Sequence, residues 1–214
     1  MTGWGFVRRL SSSAVFAAML IAITSAYASV EISADPTKHM RCTGGVCSPT
    51  DEKAVLNTTD LANMLASSDV KVMTGSGAVT ITVSGSFSWT STHRLTLDAN
   101  LNVSFSAPVV VAGPGAVTIV TNDGGSGGDL IFSDGGKIDF WDLGSSLVIN
   151  GNSYTLASDI ATLAGDIAAN PSGFYALAKD YDATPDGTFA SAPIAAFAGT
   201  FEGLGNAISN LTVA

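Results

Sequence analysis

The sequence predicts a mainly β fold, and three observations support this. Gly accounts for 23 of the 214 residues, and charged residues make up only 13% of the chain while hydrophobic residues make up 46%. From about residue 70 onward, short runs alternate apolar with small polar residues, and Gly, Asn, Asp or Ser bounds each run. The apolar fraction is too high for a disordered chain. Short strands at such spacing can build a sandwich, a closed barrel or a parallel β-solenoid.

Two features of the strand runs favour the β-solenoid, with a β-sandwich as the alternative. Several runs come in doublets separated by Gly or Asn corners, as expected of solenoid turns that bend repeatedly. Asn-Gly hairpin turns, which mark antiparallel pairing, are scarce, and Asn150-Gly151 is the one clear case. The predicted strand runs are residues 79–83, 95–103, 116–120, 130–132, 137–140 and 146–149.

The first 28 residues have the pattern of a secretion signal. Arg8 and Arg9 precede an apolar run at 14–23, which is much shorter than the roughly 20 residues of a membrane-spanning helix. Small residues before the junction predict cleavage between Ala28 and Ser29; the alternative is an uncleaved anchor or a buried helix. We therefore expect an exported chain with no transmembrane segment after cleavage. Its expected location is the cell surface or the extracellular space, with the periplasm as the alternative.

The charge balance excludes two classes of partner. The chain has 9 Lys plus Arg against 18 Asp plus Glu, a net charge of −9. Loss of Arg8 and Arg9 with the signal leaves 7 against 18, or −11. Such a surface repels nucleic acid and anionic lipid, so neither is expected as a partner.

Two cysteines, Cys42 and Cys47, lie just past the signal. In an oxidising compartment they predict a local disulfide that closes the loop 43–46. A metal site would need two further ligands, and the only histidines are His39 and His93. The sequence therefore predicts no metal and no other cofactor here.

Four segments are expected along the chain: a signal peptide (1–28), a polar segment with the cysteine loop (29–58), a solenoid region (59–157), and a helix followed by a repeat (158–214). Thr59 is predicted to cap a helix over 60–66, and Ser158 to cap a second helix that ends after Asn170.

The end of the chain is predicted to hold further β structure. A strand is expected at 174–178, an acidic turn at 180–182, and two last strands at 197–201 and 207–213. Because the sequence stops within or at the end of a predicted strand, we expect it to be the front of a longer protein.

The stretch FAGTFEGLGNAISNLTV, residues 197–213, resembles one GLUG-type repeat of large bacterial surface and adhesin-like proteins. Residues 154–183 resemble the segment before the first repeats of such proteins, and residues from about 79 to 150 resemble their β-strand-repeat parts. The resemblance covers roughly residues 42 to 213. It implies a right-handed parallel β-helix that acts at the cell surface in attachment rather than catalysis. Such proteins usually carry several repeats, whereas this sequence has one.

Within the repeat, physical roles are expected for individual residues. Apolar side chains should point inward, glycines should permit corners that a Cβ would hinder, and asparagines could form ladders between stacked turns. The repeat residues are Phe197, Gly199, Phe201, Gly203, Gly205, Asn206, Ile208, Asn210 and Leu211, with Val213 as a further inward position.

A calcium site is the sharpest chemical hypothesis the sequence raises. Residues 124–132, with Asp129, match the nonapeptide that binds Ca²⁺ between consecutive turns of β-rolls. The next nine residues break the pattern, so a Gly-rich corner is the preferred interpretation.

Clustered carboxylates raise the hypothesis of a carbohydrate-active or carbohydrate-binding β-helix protein. Such an enzyme needs two carboxyl groups facing each other across a sugar. Both clusters lie at Gly-adjacent turns, where Asp is favoured for local hydrogen bonds. The clusters are Asp134, Asp139 and Asp142, and Asp180, Asp182 and Asp186.

Aromatic residues and histidines extend the enzyme hypothesis. Trp89, Trp141, Tyr154 and Tyr175 could stack on sugars, although aromatic residues in β-rich chains are more often core. A Ser–His–Asp arrangement around His39 or His93 has no local signature. No catalytic residue is therefore predicted. The expected function is attachment or aggregation, with a host or environmental surface ligand such as carbohydrate, and with self-association.

Overall fold

The computed structural model describes residues 1, 28–75 and 78–214. The predicted signal peptide therefore lies almost wholly outside the described residues, which begin again at Ala28. The described part is mainly β, with 21 strands, two α-helices and one short 3-10 helix. None of the helices described is long and apolar enough to cross a membrane.

The chain up to Ile149 forms what we call the N-terminal stack. Its elements are β1 (Ala28–Ser33), β2 (Met40–Thr43), β3 (Val46–Pro49), β4 (Ala54–Asn57), α1 (Thr58–Leu65), β5 (Val70–Met73), β6 (Ala78–Val83), β7 (Phe87–Trp89), β8 (Arg94–Asp98), β9 (Val103–Phe105), β10 (Pro108–Val111), β11 (Ala116–Val120), β12 (Leu130–Phe132), β13 (Lys137–Phe140) and β14 (Ser146–Ile149).

Three sheets form this stack, and the chain visits them in the same order three times. The first sheet has the order β12-β9-β6-β1-β4 and the second β13-β10-β7, while the third includes β14-β11-β8-β5-β3-β2. The passes are β6-β7-β8, β9-β10-β11 and β12-β13-β14. Neighbours from successive passes are parallel and in register, as in Ile81 with Val103 and Val103 with Leu130. Strands thus pair with the next pass rather than with their neighbours in sequence.

The remaining elements form the C-terminal stack. They are β15 (Asn152–Ala157), α2 (Ile160–Ala169), β16 (Phe174–Leu177), β17 (Tyr181–Asp182), a 3-10 helix (Thr184–Asp186), β18 (Thr188–Phe189), β19 (Thr200–Glu202), β20 (Ile208–Ser209) and β21 (Thr212–Val213). The second turn lies on the first through three parallel pairs, β16 with β19, β17 with β20 and β18 with β21.

A hairpin joins the two stacks and reverses the strand direction. β14 and β15 pair antiparallel, and their turn residues Asn150 and Gly151 have φ of 49° and 81°. Two left-handed residues are what a type I′ turn needs, so the hairpin predicted at Asn-Gly is confirmed. The third sheet continues through β15, β16 and β19 to nine strands. Strands of the C-terminal stack therefore run opposite to those of the N-terminal stack in the same sheet.

Alternating apolar side chains fill the interior of the N-terminal stack. Inward positions on successive passes are fully buried, for example Leu97 and Ile119. Phe105 stacks on Phe132 with ring centroids 5.2 Å apart. A second, smaller cluster lies in the C-terminal stack, where Leu163 and Ile167 of α2 pack with Tyr175.

The segment 29–58, predicted to be polar with a cysteine loop, is largely strand. β1 lies between β4 and β6 in the first sheet, and β2 and β3 form a hairpin around Gly44 and Gly45, which have φ of 59° and 80°. Apolar residues alternate in β1, at Val30 and Ile32, so this strand could have been predicted, whereas the mostly exposed hairpin of β2 and β3 carries no apolar alternation. Cys42 and Cys47 lie opposite each other in this hairpin and form a disulfide.

Both helices begin with a different cap from the one predicted. Asn57 rather than Thr59 caps α1, because its Oδ1 accepts from the backbone N–H groups of Thr59 and Asp60. Asp159 rather than Ser158 caps α2, since its Oδ1 accepts from Thr162 N at 2.7 Å. In both cases a neighbouring Asx side chain reaches the free N–H groups of the first turn.

Candidate interaction site on the C-terminal stack

The repeat-like segment forms the last turn of the C-terminal stack, and its central corner connects the two stacks. Leu204 is fully buried, and its carbonyl accepts from the N–H of Ile138 in β13 at 2.9 Å. Asn206 Nδ2 donates to the carbonyls of Ile138 at 2.9 Å and Leu177 at 3.2 Å. One asparagine therefore ties β13 of the N-terminal stack to the end of β16.

The glycines of the repeat are not equivalent. Gly205 has φ of 78°, and a Cβ there would overlap the carbonyl oxygen of Gly136. A Cβ at Gly199 would overlap the backbone of Gly173. At Gly203 the nearest atom to such a Cβ would be 3.6 Å away, which is ordinary contact. The predicted need for glycine therefore holds at two of the three positions.

The apolar residues of the repeat were predicted to point inward, but four of them are exposed. Phe197, Phe201, Leu211 and Val213 are each exposed by 38% to 47%. Ile208 is half-buried. Among the described residues, β19, β20 and β21 each pair on one side only.

An apolar groove of about 210 Å³ runs between α2 and the last turn. Its lining contains no charged side chain. Residues of one face of α2 form one wall, and residues from the last turn and the segment before it form the other. The lining residues are Ile160, Leu163, Ile167, Ile194, Phe197, Phe201 and Ile208.

The acidic segment predicted as a turn at 180–182 is partly strand, and its carboxylates are held by local hydrogen bonds. The hydroxyl of Thr184 and the side-chain amide of Asn210 donate to Asp182 and lower its pKa to about 2. Tyr181 donates its hydroxyl to Asp186, which raises the pKa of Tyr181 to about 12. Asn210 reaches Asp182 from the next turn at 2.9 Å, as a ladder contact between turns.

Lys137 brings together members of the two predicted carboxylate clusters. Its Nζ lies 3.1 Å from Asp139 Oδ2 and 2.8 Å from Asp180 Oδ2. Burial lowers the pKa of Lys137, but hydrogen bonds to Asp180 and Asp139 outweigh this and raise it. The hydrogen bond from Lys137, together with one from Ala207 N, lowers the pKa of Asp180. The ammonium group occupies the space between the two carboxylates, so they do not form a free acid–base pair.

The Gly-rich loop that contains Asp129 is a corner in which two of the glycines lie close against the preceding turn of the chain. A Cβ at Gly124 would overlap the side chain of Asn100, and one at Gly128 would overlap the carbonyl of Leu101. Asp129 is exposed, and its backbone N–H donates to Asn102 Oδ1. Within the described ranges, no group of three or more His, Cys, Asp or Glu residues is placed to hold a metal ion.

Each histidine lies beside an aspartate but lacks the third member of a triad. His39 Nδ1 is 3.2 Å from Asp51, and His93 Nδ1 is 3.3 Å from Asp69. Ser91, near His93, donates its hydroxyl to the carbonyl of Leu65 instead. Both His–Asp contacts lie in turns at the surface.

The four aromatic candidates separate into core and surface. Trp89 and Tyr175 are buried, and the Tyr175 hydroxyl donates to the carbonyls of Asp166 and Asn170 at the end of α2. Tyr154 is half-buried, whereas Trp141 is 66% exposed.

Two residues that organise this region were missed as site residues. Leu204 lies in the turn between Gly203 and Gly205, and a large apolar residue between two glycines is the signal that the sequence offers for its burial. Lys137 lies in the predicted strand run 137–140. Its contact with Asp180 spans 43 residues, and no local pattern encodes it.

Comparison with known proteins adds no assignment: no family model, curated protein or solved structure matches this chain.

Proposed function

We propose that this protein is an exported, adhesin-like structural protein, built as a right-handed parallel β-helix and displayed at the cell surface or released. It acts in attachment or aggregation. The observation that carries the proposal is the stacking of the repeat-like segment, in register, on the turn before it. Repeated parallel turns produce a long surface, and many weak contacts along such a surface add up through multivalency.

The state of the carboxylates supports a structural role over a catalytic one. Asp182 and Asp186 bond to their own turn or the next one, and Lys137 separates Asp139 from Asp180. Each of these carboxylates therefore stabilises a turn or takes part in an ion pair, as expected where Asp stabilises the local backbone.

Export is part of the proposal, with cleavage between Ala28 and Ser29. β1 begins at Ala28, and Val30 and Ile32 are fully buried in the first sheet. Cleavage at this point leaves the buried part of β1 intact. Intact-mass analysis of the exported protein should give a chain that starts at Ser29; a chain that still carries Met1 would contradict it.

The function can be tested by expressing the full chain in a non-adherent bacterial host. Cells with the exported protein should settle faster and attach more to polystyrene than cells with an empty vector. Gly203→Ala should behave like the unmodified chain, while Gly205→Ala should lose the effect because it disrupts the last turn. Surface-detected protein without any change in settling or attachment would contradict the proposal.

A carbohydrate-binding role is the second candidate, and one observation favours it. Trp141 is exposed by 66% next to Asp142 on the loop after β13, and exposed aromatic rings can stack on sugars. Incubation with a polysaccharide panel should show binding that Trp141→Ala removes and Leu143→Ala, an exposed neighbour, retains. If the protein binds none of the polysaccharides and releases no product from them, this role is eliminated.

A further inference from the structure

The cleavage site proposed above lies directly at the start of a buried strand. β1 begins at Ala28, so no residue separates the bond between Ala28 and Ser29 from the first sheet. Within this strand Val30 and Ile32 are 0% exposed. The residues that follow the cleavage point therefore belong to the core of the N-terminal stack, and no linker precedes them.

Backbone pairing holds this strand on both of its sides. β1 pairs in parallel with β6 through residues 28–32 and with β4 through residues 30–33. At the end of the strand, the carbonyl of Ile32 accepts from the N–H of Ser84 at 2.9 Å. The bond after Ala28 can become part of a free extended segment only when this pairing breaks and the buried side chains of β1 are exposed.

A peptidase needs such a free segment. Extended peptides are bound through main-chain hydrogen bonds along the strand, and in the folded chain β6 already occupies these groups on one side of β1. Cleavage of a folded precursor would therefore have to wait until the sheet opens, and its rate would follow the small population of the open form.

The disulfide gives an independent indication of the order of events. Cys47 is 0% exposed, and its strand β3 pairs with β5 of the third sheet. Its bond to Cys42 forms in an oxidising compartment, whereas the cytosol keeps thiols reduced. The cross-linked hairpin is thus completed only after the chain has left the cytosol.

On the basis of the export and cleavage proposed above, we propose that this chain crosses the membrane unfolded and loses its signal before β1 enters the first sheet. Arg8 and Arg9 form an arginine pair of the kind found in twin-arginine signals, which direct folded proteins across the membrane. The place of β1 argues against that route, because a folded precursor would hold its cleavage site in a paired strand. The two arginines then supply only the positive charge that precedes the apolar run of an ordinary secretion signal.

The order of cleavage and folding can be tested with the purified full-length precursor and signal peptidase in detergent. The Phe105→Ala precursor should be cut at least about tenfold faster than the unmodified folded precursor, because loss of this buried ring opens the first sheet more often and leaves the cleavage site unchanged. Phe201→Ala, in the C-terminal stack, is the matched control and should not change the rate. A flexible Gly/Ser linker of about eight residues inserted after Ala28 should make the folded precursor rapidly cleavable. An unmodified folded precursor that is cut as fast as the linker variant would overturn the proposal.

The export route can be tested in a bacterial host. Arg8→Lys together with Arg9→Lys keeps the positive charge and removes the arginine pair, so the chain that starts at Ser29 should leave the cytoplasm in the same amount as from the unmodified precursor. A double variant that stays in the cytoplasm at full length, while the unmodified chain is exported, would overturn the proposal. If the unmodified chain itself stays inside or keeps Met1, the proposed export fails, and the order of events inferred from it fails as well.

Discussion

The N-terminal and C-terminal stacks share one nine-stranded sheet and the same parallel pairing, yet they bury their apolar side chains to different extents. In the N-terminal stack, inward residues such as Leu97, Val111 and Ile119 are 0% exposed. In the C-terminal stack, the apolar residues of the last turn are mostly open, and Leu204 is the exception because it packs against the neighbouring stack. The comparison shows that the apolar side chains of a stacked turn are fully buried only where other residues pack on both sides of that turn.

The direction of the strands explains why the two stacks are separate units. A type I′ hairpin reverses the chain at Asn150-Gly151, so α2 and the turns that follow build a second, smaller core. The corner at Leu204–Asn206 then reaches back to β13. This corner, the hairpin, the ion pair of Lys137 with Asp180 and the backbone bond from Phe140 N to Ala178 O all hold one stack against the other.

The largest expected difference lies in matched Phe→Ala substitutions. Phe105→Ala removes a ring that is 1% exposed, and it should lower the free energy of unfolding by about 3–5 kcal/mol. Phe201→Ala removes a ring that is 38% exposed, and it should cost less than about 1.5 kcal/mol. Urea unfolding of both variants measures this. Equal losses would show that the last turn is as well packed as the N-terminal stack.

A second pair separates the roles of the repeat glycines. Gly205→Ala should destabilise the C-terminal stack by about 2–4 kcal/mol, because the residue is left-handed and its Cβ would overlap Gly136. Gly203→Ala should change stability by less than about 1 kcal/mol. Thermal unfolding by circular dichroism compares them. If both variants melt alike, the corner does not depend on the close approach to β13.

A third pair tests the connection between the stacks. Asn206→Ala removes two hydrogen bonds to backbone carbonyls of different stacks, and it should cost about 1–3 kcal/mol. Asn210→Ala removes one exposed bond to Asp182 and should cost less than about 1 kcal/mol. Urea unfolding followed by tryptophan fluorescence, to which the buried Trp89 contributes, is the measurement. A larger loss for Asn210→Ala would contradict the role given to Asn206.

The smallest effect is the pH dependence that Asp182 gives to the C-terminal stack. The pKa of Asp182 is about 2, below the ordinary 3.8, so its contribution to stability is present above pH 3.8 and is lost as pH falls through about 2. Carboxyl NMR should show this low midpoint. Thr184→Val should move it toward 3.8 more than Asn210→Ala does, because the Thr184 hydroxyl is the larger cause. An unchanged midpoint in both variants would contradict that assignment.

Much of the N-terminal stack could be predicted from the sequence. The runs 116–120, 130–132, 137–140 and 146–149 coincide with β11 to β14, because alternation and turn residues act locally. The run 95–103 is two strands, β8 and β9, interrupted by a corner. β7 and β10 are not among the predicted runs; β10 begins with Pro108, a residue that argues against a strand interior.

The candidate site could be predicted only in part. The repeat-like motif predicted the last turn and its glycines. The burial of the apolar residues in this turn depends on their contacts with other parts of the fold, which a local sequence pattern does not encode. The contacts of Asn206 with Ile138 and of Lys137 with Asp180 join residues that are 68 and 43 positions apart. Such contacts follow from the fold as a whole rather than from local pattern.

Hydrogen exchange by NMR tests the central claim most directly, namely that the N-terminal stack is well packed and the last turn of the C-terminal stack is open. Amides of β9 and β11, which pair on both sides, should exchange slowly, while those of β20 and β21, which pair on one side in the described part of the chain, should exchange fast. Equal protection of the two groups would contradict the account.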